Sequence, residues 1–98
     1  MSSCYYCKLL HSTERFYRDV SDEPFVILVD PRFMLPVLVL REHGSLPEGY
    51  AELGDSIAAI REVARLVLGE FFVFRLDATA AHFYVRAEPM KPNLGKES

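Results

Sequence analysis

A chain of 98 residues, half of them hydrophobic and 26% charged, has the size and composition of one globular domain. Its net charge of −3 and pI near 5.5 speak against a nucleic-acid scaffold, which usually carries a basic face. Its apolar runs fall well short of the ~20 residues that span a bilayer, and Met1-Ser2-Ser3-Cys4 has neither the basic nor the apolar part of a leader. The expectation is a soluble, cytoplasmic protein with a single domain over residues 1–90 and a loosely held tail over 91–98.

In chain order, Cys4 and Cys7 come first, separated by two residues. A tight turn can aim both sulfurs at one point about 2.3 Å from a zinc ion, although one such pair is only half a site. In a reducing compartment the same pair can also be a redox dithiol. Leu9 and Leu10 begin a short helical turn that docks on the core. Residues 15–20 read as a first strand, with Phe16 alternating against charged neighbours, and Ser21-Asp22-Glu23-Pro24 is turn chemistry.

Phe25–Asp30 is continuously apolar and β-branched up to its last residue, the pattern of a central strand buried on both faces. Asp30-Pro31 ends it. Pro36–Arg41 is a second buried strand, running out at His43-Gly44. Ser45 and Glu48 have capping-box spacing ahead of a helix expected from Tyr50 to Leu68. Leu53, Ile57, Ile60, Ala64 and Val67 form its apolar stripe. Ala59, Val63 and Leu66 widen the arc to about half the circumference, enough for a sheet on one flank and a second helix or subunit on the other.

Gly69 is placed as the residue just past the helix. Residues 70–76 and 81–88 then read as two strands of a hairpin, joined by a turn at 77–80. The expected class is α+β, an antiparallel sheet of about five strands with one main helix packed on it. Along the last strand, Phe83, Val85 and Ala87 share one face, while His82, Tyr84, Arg86 and Glu88 share the other.

The candidate metal ligands are Cys4, Cys7, His43 and His82. Both histidines sit beside strands, which anchor them rigidly, and a Cys2His2 set completes tetrahedral zinc with no open position, so such a zinc is structural. Against that stand the redox reading of the thiols and the ordinary fate of a lone histidine as a surface or core residue.

The same residues, taken together, resemble the zinc-containing histidine-triad (HIT) superfamily of nucleotide hydrolases and transferases. The resemblance runs from Cys4 to Pro89: Cys-x-x-Cys followed by Lys8 and two leucines, a strand ending in Asp30, an aliphatic strand leading to His43, a helix, and a hairpin. The second strand of that hairpin carries the family's His-x-His-x-His-x-x-Pro motif, here His82-Phe83-Tyr84-Val85-Arg86-Ala87-Glu88-Pro89. It implies the same zinc ligands, Cys4, Cys7, His43 and His82, and a homodimer. It also implies that Asp30 lies where family members hold ribose hydroxyls, and that Tyr84 and Arg86 stand at the second and third triad positions. Asp30 equally suits a turn ahead of Pro31, and Arg86 a surface ion pair.

The family nucleophile is the middle histidine, here Tyr84. A phenol with a pKa of about 10 is mostly protonated at neutral pH and needs a base, and the sequence offers none beside it. The expectation is therefore a zinc-binding, HIT-like protein with no catalytic residues. It would bind a nucleotide or small phosphorylated ligand through Asp30, Tyr84 and Arg86, or act through a partner. An active nucleotide hydrolase or nucleotidyl transferase with altered chemistry is the alternative.

Overall fold

The computed structural model describes residues 4–45, 53–77 and 80–90. The expected capping box, the first residues of the main helix, the middle of the last hairpin turn and the C-terminal tail lie outside them. The elements are α1 (Tyr5–Ser12), β1 (Phe25–Asp30), β2 (Leu35–Leu40), α2 (Leu53–Leu68), β3 (Phe72–Leu76) and β4 (Tyr84–Pro89). The strands form one antiparallel sheet in the order β1-β2-β4-β3, so α2 carries the chain from β2 across β4 to the far edge. The class is α+β, as expected.

Both strands of the first hairpin, β1 at the sheet edge and β2 inside it, are buried on both faces because both faces are covered. On one side, Phe25, Ile27, Leu38, Leu40, Phe83 and Val85 pack against Ile60 and Val63 of α2. On the other, Val26, Leu28, Val37 and Val39 pack against Tyr6 and Leu9 of α1. The alternation of side chains along each strand divides the residues between these two cores. The result is three layers: α1, sheet, α2.

One expectation is corrected. Residues 15–20 do not form a strand; a single bridge joins Arg18 to Ile27 at the free edge of β1, so the described sheet has four strands. The charged side chains there take partners outside the ladder: Arg18 pairs with Glu23 in the following turn, and Asp19 with Arg41 just past β2. Phe16 packs against the core but Tyr17 and Val20 are exposed, so little pulls a longer ladder into register. Along α2, the arc buried within this one chain is narrower than its apolar stripe. Ile60, Val63 and Ala64 are buried, with Leu53, Ile57 and Ala59 partly so, but Leu66 is 82% exposed.

Gly69 has φ of +88° and its N–H donates to the Arg65 carbonyl, so it closes α2 in the conformation that favours glycine. The β1–β2 turn over residues 31–34 is tighter. Met34 adopts φ +56° there, and its N–H donates to the Asp30 carbonyl at 2.7 Å. A left-handed conformation costs a residue with a Cβ about 1–2 kcal/mol. Phe33 and Met34 project from this turn, 51% and 67% exposed.

A candidate metal centre

Three separate parts of the chain converge at the start of α1. Cys4 is the N-cap of that helix, in extended conformation, and its sulfur accepts a hydrogen bond from the Cys7 N–H at 3.4 Å. Capping by Cys4 fixes its side chain over the first turn, where Cys7 is the third helical residue, so both sulfurs face the same way. His43 follows the end of β2, and His82 lies two residues before β4, on the neighbouring strand of the sheet. The four ligand atoms all lie within 4.8 Å of one another.

The individual contacts are shorter. Nδ1 of His82 is 3.3 Å from the Cys4 sulfur and 3.5 Å from the Cys7 sulfur, and Nδ1 of His43 is 3.2 Å from the Cys7 sulfur. Zn–S bonds of about 2.3 Å and Zn–N bonds of about 2.0–2.1 Å, at tetrahedral angles, place sulfur and nitrogen about 3.5 Å apart. The donor set and its spacing therefore fit a zinc-sized cation, with adjustments of tenths of an ångström.

The proton on His82 sharpens the argument. Its Nε2 lies 2.8 Å from the carbonyl of Leu40, and that oxygen can only accept, so Nε2 carries the hydrogen. In the neutral ring Nδ1 is then a bare lone pair aimed at two sulfurs. Nδ1 of His43 faces the Cys7 sulfur in the same way, so two sulfurs and two ring nitrogens face one another, the donor set of a tetrahedral Cys2His2 site. The Leu40 carbonyl thereby does what an outer partner of a metal-bound histidine does: it fixes tautomer and ring orientation. His82 is buried, 4% exposed, whereas His43 is exposed. The two cysteines are half-buried and not joined in a disulfide.

The remaining candidates sit on the same side of the sheet as α1, beyond the metal cluster. Tyr84 stacks on Tyr6, ring centroids 4.8 Å apart and planes 27° off parallel. Arg86 donates to Glu88 through Nε and Nη2, and Arg75 donates to the other Glu88 oxygen at 3.0 Å. Burial pushes the Glu88 carboxyl up, but the hydrogen bonds and charges of the two arginines outweigh it and hold it below its ordinary range.

Asp30 is fully buried. One of its oxygens accepts from the Tyr5 hydroxyl at 2.6 Å and from the Arg32 N–H at 2.9 Å; the other accepts from the Arg32 guanidinium at 3.2 Å. Burial pushes this carboxyl up, yet the Tyr5 and Arg32 hydrogen bonds and the Arg32 charge together bring it below its ordinary value. The bond to the N–H two residues on is the turn-forming role that Asp-Pro suggested. Tyr6, buried between α1 and the sheet, has its phenol pushed up to about 12, first by burial and then by the nearby Asp30 charge.

Sequence reasoning missed Tyr5, Tyr6 and Arg32. Tyr5 carries the Arg32 guanidinium over its ring at 3.6 Å while its hydroxyl holds Asp30, so α1 is tied to the β1–β2 turn as well as to the cysteine–histidine cluster. The signal available was the aromatic pair between the two cysteines. Once Cys4 caps a helix, Tyr5 and Tyr6 fall on its first turn and must face something.

Among the described residues no helix is long and apolar enough to cross a membrane. Comparison of the chain with protein-family models, curated proteins and solved structures finds no match in any of the three.

Proposed function

We propose that this chain is a zinc-binding, HIT-like module that works by binding rather than by catalysis. The observation that carries the reading is the meeting of Cys4, Cys7, His43 and His82, with the bare Nδ1 of His82 facing two sulfurs. Four protein ligands complete the tetrahedron, so the metal supplies folding energy and no open coordination position. The absence of catalysis rests on Tyr84. Its ring is stacked on Tyr6, with the Arg86 guanidinium 5.9 Å from its centroid, and neither a phenol nor a guanidinium is a base that takes the phenolic proton.

Asp30, Tyr84 and Arg86 are the residues proposed to meet a nucleotide or small phosphorylated ligand, with Arg86 as the forked donor to phosphate; Asp30, buried on Tyr5 and Arg32, would have to be uncovered first. Glu88 holds that guanidinium in the absence of ligand, and a phosphate would have to compete for it. The module is further proposed to be a homodimer in the cytoplasm. In support, Leu66 and Phe71 are largely exposed near β3, which is an edge strand of the sheet.

Zinc content decides the first part. Metal analysis of the purified chain is expected to give one zinc per protomer, lost when both cysteines are replaced by serine. A metal-free chain that takes up no added zinc overturns the reading. Calorimetric titration with adenosine monophosphate tests the ligand; no heat at millimolar nucleotide leaves binding to a protein partner as the function.

A further inference from the structure

The placement of the two cysteines has a second chemical meaning. Cys4 is the helix N-cap and Cys7 the third residue of the helix, with the Cys7 N–H on the Cys4 sulfur. Their sulfurs lie within 4.8 Å of each other. Residues so placed belong to one helical turn, and a disulfide of about 2.05 Å between them closes by side-chain rotation. Cys-x-x-Cys pairs at helix N-termini are a recurrent redox arrangement. Neither thiol is sealed in the core: both are half-buried, and the contact between Cys7 and His43 lies on the exposed side.

We propose that Cys4 and Cys7 form an oxidisable pair whose closure to a disulfide expels the metal and loosens α1. The inference rests on the metal reading above. The oxidant is hydrogen peroxide. One thiolate, Cys7 on the exposed side, attacks the peroxide, the O–O bond breaks, and the departing oxygen leaves as water after taking a proton. The resulting sulfenic acid is attacked by the Cys4 thiolate; the S–S bond forms and the sulfenic oxygen leaves as a second water with another proton. Two electrons pass from the sulfurs to the peroxide, two protons are consumed, and the divalent cation is released.

A disulfide and a metal-thiolate pair are mutually exclusive. Oxidation removes both anionic ligands at once and leaves two neutral imidazoles, one of them exposed. The helix loses its ties to His43 and His82 together. What remains is the packing of Tyr6 and Leu9 and the Tyr5–Asp30 hydrogen bond. An eight-residue helix has little stability of its own, so its order depends on such ties.

The test uses the full chain loaded with zinc, its content measured first, then treated with hydrogen peroxide in slight excess. Released zinc is followed with a chelating dye, thiols by alkylation, the disulfide by intact mass, and α1 by amide hydrogen exchange. The expected result is one zinc released per two thiols lost, a mass lower by two hydrogens, and exchange over Tyr6–Ser12 faster by roughly tenfold or more. A thiol reductant with zinc should reverse all of it. Loss of both thiols with the metal retained overturns the proposal. So does metal release that leaves α1 exchange unchanged, or thiols that survive peroxide at doses that oxidise free glutathione. A chain that never takes up zinc overturns the metal reading instead, which separates the two failures.

Discussion

The two histidines make a paired experiment, because they share a proposed metal but differ in surroundings. His82→Ala and His43→Ala each remove one of four ligands. A ligand present at about a thousand times its dissociation constant stabilises the folded state by about 4 kcal/mol, and most of that disappears when affinity collapses. For a domain of this size each kcal/mol moves the melting temperature by about 4–8 °C, so both variants should melt about 15–30 °C below wild type in excess zinc. Without metal they should part company. His82→Ala strands the Leu40 carbonyl, which accepts from His82 Nε2 at 2.8 Å in a buried setting. An orphaned buried acceptor costs about 1–3 kcal/mol. His43 is exposed, so His43→Ala should cost under about 0.5 kcal/mol once the metal is gone. Thermal unfolding followed by circular dichroism, in zinc and in chelator, reads all four numbers. Equal melting of the wild type under both conditions refutes the metal. A His43→Ala variant as destabilised in chelator as in zinc refutes the assignment of its role to ligation.

Three further outcomes follow from the geometry. Met34→Gly removes a Cβ from a left-handed conformation in an exposed turn and should stabilise the chain by about 0.5–1 kcal/mol, read as a higher urea midpoint; a lower midpoint would mean that the Met34 side chain makes an unrecognised contact. Asp30→Asn weakens three hydrogen bonds to a buried carboxylate and should cost about 2 kcal/mol at neutral pH. Because the folded carboxyl titrates below its unfolded value of about 3.9, its contribution is full above that pH and lost as pH falls through the folded value. The gap between wild type and Asp30→Asn in urea should therefore shrink on acidification, and a gap that widens contradicts the shift. Leu66→Lys should leave stability within about 0.5 kcal/mol, given its exposure, and a dimer that uses this face should fall apart in light scattering; a large loss of monomer stability would restore the wider apolar arc.

The ordering of strands and helices was legible because period-2 and period-3.6 patterns survive where both partners of a contact are apolar. Phe25–Leu28 and Val37–Leu40 are buried on both faces and read as such. The pattern failed where charge decided. Residues 15–20 alternate like a strand, but Arg18 pairs with Glu23 in the adjacent turn and Asp19 with Arg41 just past β2, and only one bridge to Ile27 remains. Helix α2 is different: Leu66 and Val67 are apolar and exposed in the single chain, on the side left for a second helix or subunit. The cluster of Cys4, Cys7, His43 and His82 was legible from residue type and spacing. Its proton arrangement was not, because the Leu40 carbonyl that fixes His82 is a backbone group any residue could supply. Tyr5, Tyr6 and Arg32 were invisible for a similar reason: their roles depend on Cys4 capping a helix, and cysteine is a rare cap.

The distance along the chain between the thiols and His82 bears on the order in which the molecule assembles. Cys4 and His82 are 78 residues apart, and Tyr6 finds its stacking partner, Tyr84, equally late. The hairpin of β1 and β2 needs only local contacts and can form early, offering α1 the seat of Val26, Leu28, Val37 and Val39, whereas His82 and Tyr84 arrive only with β4. During synthesis α1 would leave the ribosome long before those anchors and wait, thiols uncovered, until β4 follows. Metal capture at this centre would then come last, and a filled site would mark a chain that has completed its fold.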